Sequence, residues 1–227
     1  MYNKINKNIK NILKNNDTSK LEEILSSKNS EDNTYDILYG TLKYNRPEFY
    51  QIIIDSIING QLLVNYHVLS VFYYFDDEDL MYKFIESDCL TSDQYFDLLK
   101  IMITKLRGPL SRIKYISQIL KKNINLDNND GILFEIACER YDHHILELIL
   151  DNGFEVVYHN KYFIQSVKDL IKHRKIDHLK ILIKYGIDLS FINNVEIKVE
   201  KNNKNLVNIL IDSGVELENI IKLVIIK

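Results

Sequence analysis

Two groups of histidines are the first places in this sequence where chemistry could reside. His143 and His144 are adjacent, and His173 and His178 lie five apart with Asp177 beside them. Imidazole nitrogens bind transition metals and relay protons near neutral pH. Neighbouring residues on a helix point about 100° apart, so His143 and His144 do not readily share one ion. His173 and His178 flank an expected turn, where solvated histidines are ordinary. Cys89 and Cys138 are far apart, with no His or Cys at ligand spacing, and read as small buried thiols of a reduced chain. A Gly-rich phosphate loop, a His-Glu-x-x-His metal helix and a Gly-x-Ser-x-Gly elbow are all missing from the sequence. Carboxylates are plentiful, but nothing in their pattern marks a pair as buried. The sequence is therefore read as that of no enzyme, with no metal site and no cofactor.

Composition narrows the class further. Apolar residues make up 46% of the 227 and charged residues 27%, values of an ordinary globular chain long enough to bury a large core. Only seven Gly and two Pro are present, too few for the frequent turns of a sandwich or barrel. The net charge of −3 argues against general affinity for nucleic acid or for anionic membranes. The N-terminal Met1–Asn16 stretch alternates Lys and Asn without an apolar core, so it is not a signal peptide. The longest apolar runs fall far short of the ~20 residues a membrane span needs. These features point to a cytoplasmic protein. The sequon Asn16-Asp17-Thr18 reads as a helix N-cap.

The elements emerge from a repeated helix face. Ile145–Leu150 before Gly153, Leu179–Ile183 before Gly186 and Val207–Ile211 before Gly214 each place apolar residues seven, four and three positions ahead of the glycine. That spacing is one side of a helix. The glycine suits the residue just past a helix end, where positive φ lets the chain satisfy the last carbonyls. The same phase precedes Lys28, Gly60, Asp88 and Asn123, so the stops recur about every 31 residues. A second amphipathic stretch lies before each of these helices: Tyr35–Asn45, Tyr66–Phe75, Asp93–Leu106, Ile132–Tyr141 and Tyr162–His173. Pro47 and Pro109 fall where the second helix of a pair should start, a position that tolerates proline.

The segment from Asp130-Gly131 through Ala137-Cys138 and His143 to Asn152-Gly153 resembles the ankyrin repeat family: an Asp-Gly opening, a small pair inside the first helix, a turn His, and a Leu-rich second helix ending in Asn-Gly. No repeat keeps the family's Thr-Pro-Leu-His start, which caps the first helix and ties repeats together. In this degeneracy, and in its Ile, Asn, Lys and Tyr bias, the chain is similar to ankyrin proteins of giant DNA viruses that infect amoebae. The resemblance implies an all-α solenoid of about seven stacked helix-turn-helix repeats forming one array over 1–227. Repeats are degenerate in 1–99 and clearer in 100–216. A capping helix is expected at 217–227, where Ile220, Ile221, Val224 and Ile225 form one stripe.

The resemblance also implies a protein-protein interaction scaffold, a monomer that holds another protein, such as a host protein, on its concave side. The alternative is a structural, virion-associated component that self-assembles. The loops after Gly153 and Gly186 are expected to project as fingers. Their first apolar residues, Phe154 and Ile187, should pack inward, as should Val215 after Gly214. Tyr158, His159, Tyr162 and Phe191 are the expected partner contacts, because non-repeating aromatics on a repeating frame can store specificity. Charge is banded, from eight acids and two bases in 61–100 to a net +4 in 161–227. Solvated helix faces explain the bands most simply. A basic stretch, Lys168, Lys172, Arg174 and Lys175, lacks the interleaved aromatics of a nucleic-acid surface.

Overall fold

Most helix ends recorded in this chain fall where the apolar face runs out and one residue takes up positive φ. In the computed structural model, which describes residues 6–26, 34–74, 77–105, 111–122, 124–126, 131–155, 161–194, 204–216 and 218, Gly60, Gly153, Gly186 and Gly214 stand at φ between 70° and 88°. Asn16, Asn45, Asp88 and Arg174 do the same with side chains. After the helix His144–Asp151 the Gly153 amide donates to Leu150 O at 3.1 Å and the Phe154 amide to Ile149 O at 3.3 Å. Gly186 with Ile187, and Gly214 with Val215, repeat that pair of bonds. This is the Schellman termination, which closes the last turn and buries the residue after the glycine. Phe154, Ile187 and Val215 are all buried, as the spacing predicts.

The described residues form thirteen α-helices and one 3-10 segment, with no strand. They group into two compact units, Met1–Ile124 and Asn125–Lys227. The first unit holds α1 (Lys7–Asn15), α2 (Thr18–Ser26), α3 (Thr34–Lys43), α4 (Glu48–Ile58), α5 (Tyr66–Phe72), α6 (Glu78–Glu86), α7 (Ser92–Lys105) and α8 (Ser111–Leu120). Here α1, α3, α5 and α7 pack in succession, and α2, α4, α6 and α8 pack likewise. Each helix thus lies on the helix two places away in sequence, the arrangement of stacked hairpins. The degenerate residues 6–99 therefore build paired helices as their periodicity implies. Pro47 immediately precedes α4, and Asp17 caps α2, accepting a hydrogen bond from the Lys20 amide at 3.1 Å.

The second unit holds α9 (Ile132–Glu139), α10 (His144–Asp151), α11 (Lys161–Lys172), α12 (Ile176–Lys184) and α13 (Lys204–Asp212). The pairs α9–α10 and α11–α12 are hairpins. Between hairpins, α9 packs on α11, α10 on α12, and α12 on α13. A row of rings threads its core: Phe154 on Phe134, Phe134 on Phe163, and Phe163 on Phe191, with centroids 5.2–5.4 Å apart. The capping helix expected at 217–227 falls outside the described residues, apart from Glu218.

Neighbouring hairpins are also joined by polar contacts. Arg46, just past α3, reaches back to α1, where Nε donates to Leu13 O at 2.9 Å and Nη2 to Lys14 O at 3.0 Å. Lys175 stands in the same place after α11, and its ammonium donates to three carbonyls at the end of α9: Cys138, Glu139 and Arg140, at 2.7, 2.8 and 3.1 Å. A cation from one hairpin thereby satisfies the free carbonyls of the hairpin before it. The second helices carry their own links, Lys83 to Asp55, Lys122 to Asp88 and Lys184 to Glu147, all between hairpins.

Space is no obstacle at Gly186, since a Cβ there would meet nothing within 4 Å. The cost of substitution is conformational alone. Gly186→Val should destabilise by about 1–2 kcal/mol and Gly186→Asn by distinctly less. Urea melts of the two variants beside the native chain measure this, and equal stability of Val and Asn would contradict the role.

Candidate partner-binding site

Of the four aromatic residues expected to contact a partner, Tyr162 and Phe191 are described, while Tyr158 and His159 lie outside the described residues. Tyr162 opens the exposed side of α11 and is half-buried, with the Lys161 ammonium 4.9 Å from its ring centroid. Phe191 is also half-buried, its ring set against Phe163. The 187–194 segment, expected as a projecting finger, instead turns through a 3-10 helix over Ser190–Asn194. Leu189 and Ile192, three apart and so on one side of such a turn, are both buried and draw the segment inward. Phe191 thus has a packing role besides whatever surface it presents.

The histidines are organised differently from their sequence spacing. His143 is the N-cap of α10, and its ring stacks on that of His144, with centroids 4.2 Å apart. Asp142 accepts hydrogen bonds from the His144 amide at 3.1 Å and lies 2.8 Å from His144 Nδ1. The donor atoms of Asp142, His143 and His144 fall within 4.8 Å of one another, closer than the helical argument allows. His178 is buried, 6.2 Å from His143 between ring centroids, and its Nε2 has no partner among the described residues. Burial, aided by Lys175 and His143, pushes its pKa down to about 4, which keeps the ring neutral. The thiols of Cys89 and Cys138 are both shifted upward by burial, so neither is an activated nucleophile.

A concave site does exist in the second unit, between α9 and α11. The cleft measures about 630 Å³. Glu135, Glu139 and Asp169 contribute three carboxylates, Ser166 a hydroxyl and Lys175 an ammonium, with Tyr141 at its edge. α9 presents Glu135 and Glu139 four apart on one face, and α11 presents Ser166 and Asp169 three apart on the opposing one. Burial raises the Glu135 pKa, and repulsion from Glu139 and Asp169 adds to it. Ser166 is 4% exposed and its Oγ has no partner among the described residues. Tyr141 is 96% exposed. Lys175, the last residue of the basic stretch in the sequence, is bound to the α9 carbonyls. None of the three acids was marked by the sequence, because burial between helices is not legible in a pattern of charges. A trace of it existed, since Ala137-Cys138 is the small pair where the neighbouring helix comes close.

Comparisons with known proteins point the same way, at a distance. A putative ankyrin repeat protein of Acanthamoeba polyphaga mimivirus is 25% identical over 92 residues, covering 40% of this chain and 29% of that protein. The chain thus matches less than a third of that relative's length. No protein-family model matches the chain, and no solved structure does. Among the described residues, no helix is long and apolar enough to cross a membrane.

Because His178 protonates more readily in the unfolded chain, near its ordinary 6.5, the unfolded state binds more protons between that value and about 4. The stability that neutral His178 confers is complete above about pH 6.5 and is lost as pH falls toward 4. Thermal melts of wild type and His178→Leu across that range should diverge, the wild type losing more of its stability in acid. Parallel curves would show that His178 is not the group responsible.

Proposed function

We propose that this chain is built of ankyrin-type helical hairpins and serves as a non-catalytic scaffold that holds another protein on the first-helix side of its second unit. The observation that carries this reading is the packing of hairpin on hairpin within each unit, helix upon second-next helix, at an ankyrin-like period with a recurring termination. The distant mimivirus relative supports the repeat reading, and a host protein as the partner is part of the proposal. Repeat stacks of this kind offer an extended surface without needing a catalytic pocket.

The two sides of the hairpins differ in what they leave available. The outer faces of the second helices already carry links between hairpins, Lys184 to Glu147 and Tyr185 to Asp151. The first-helix side carries the cleft, the exposed Tyr141 and half-buried Tyr162. Tyr158 and His159 precede α11 in the sequence and are proposed as further contacts, with Phe191 contributing from its packed position. A few aromatic anchors often supply most of the energy of such an interface.

Affinity capture with cross-linking and mass spectrometry would identify the partner. Once it is in hand, Tyr158→Ala with Tyr162→Ala should weaken binding by roughly tenfold or more, with circular dichroism unchanged. Lys180→Ala on the outer helix should do little. Greater loss from the outer-helix change would place the binding face on the wrong side. Concentration-dependent growth of large particles in light scattering would favour self-assembly instead.

A further inference from the structure

We infer that the cleft between α9 and α11 receives an arginine side chain of the protein partner, which deepens the scaffold reading and rests on it. The first support is charge. Glu135, Glu139 and Asp169 face a common space, and among the described residues none of the three is in an ion pair. Asp169 accepts one hydrogen bond from Gln165 at 3.0 Å. The cation that lines the cleft, Lys175, has its three donors directed to the carbonyls that end α9. An excess of acid therefore faces the opening.

The second support is independent of charge. Ser166 Oγ is buried in the wall of the cleft and lacks a hydrogen-bond partner. A buried hydroxyl without a partner is costly, and a donor entering from outside would satisfy it. The third is Tyr141 at the edge, almost wholly exposed, with the Lys175 ammonium 5.7 Å from its ring centroid. That ring already attracts one cation and can stack against another.

Arginine fits these features better than lysine. Its planar guanidinium offers five donors in a fixed fork and a flat face for stacking, whereas an ammonium is a compact, strongly hydrated point charge. A bare divalent ion fits poorly, because the described donor atoms that converge to ligand distance are those of Asp142, His143 and His144, outside this cleft.

The test uses the full chain and three small probes: N-acetyl-arginine methylamide, its lysine counterpart, and its neutral isostere with citrulline. Backbone amide shifts are followed by nuclear magnetic resonance at millimolar probe. The arginine derivative should give saturable shifts at Ser166, Asp169 and Lys175, the lysine derivative weaker ones, and the citrulline derivative none. Glu139→Gln with Asp169→Asn should weaken the arginine response by about tenfold or more. Tyr141→Ala, at an exposed position that cannot unfold the chain, should weaken it as well. Equal shifts with citrulline, or shifts that survive the double change, would overturn the inference. If the probes give nothing while an identified partner maps elsewhere, the inference falls and the scaffold reading stands. If the arginine derivative binds here but the chain captures no protein, the scaffold reading falls and the site remains.

Discussion

The recurring termination of helices by a residue at positive φ is the constraint from which much of the rest follows. It reverses the chain within two residues, and in doing so sets the next residue on the buried side. After second helices that next residue is Phe154, Ile187 or Val215, which joins the core. After first helices it is Arg46 or Lys175, and the same geometry directs a cation back onto the preceding hairpin. One local device thus serves both the hydrophobic stack and the polar link between hairpins. Carbonyls at the ends of α1 and α9 are thereby met by donors from the following hairpin.

The same economy shapes the surface. Charges on the second helices pair across hairpins, and acids cluster where helices begin: Asp77 caps α6, and Glu78 and Asp79 occupy its first turn. Much of the charge banding seen in the sequence is therefore accounted for locally by helix dipoles and inter-hairpin pairs. The α9–α11 cleft gathers three carboxylates that are in no ion pair among the described residues. Carboxylates there repel one another and so favour an incoming cation, and the hydroxyl of Ser166 is held ready without a partner.

Much of the helical framework was legible in the sequence because it depends on local rules. Apolar spacing located the helices, and Gly60, Gly153, Gly186 and Gly214 marked their ends; Asp88, a side chain at positive φ, was found by phase alone. α1 was not read as a helix, since Lys and Asn alternate there and only Ile9, Ile12 and Leu13 are buried. The site was far less legible. Phe191 reads as a loop aromatic in one dimension, yet Leu189 and Ile192 pull its segment into a 3-10 turn against Phe163. His143 and His144 read as divergent helical neighbours, yet their rings stack. Glu135, Glu139 and Asp169 look like any solvated acids until α9 and α11 are laid side by side. For Phe191 and for the acids the missing information is a contact between residues some thirty apart, which periodicity does not encode.

The central claim is that, within a unit, a hairpin is held by a cation of the one that follows it. Hydrogen exchange of the Lys175→Met variant tests this most directly, because the side chain belongs to the turn after α11 but its bonds end on α9. Loss of three hydrogen bonds from an ammonium should reduce protection across Ile132–Glu139 by about tenfold or more, with α12 little changed. Protection lost only around residues 173–176, with α9 exchanging as in the native chain, would contradict the account.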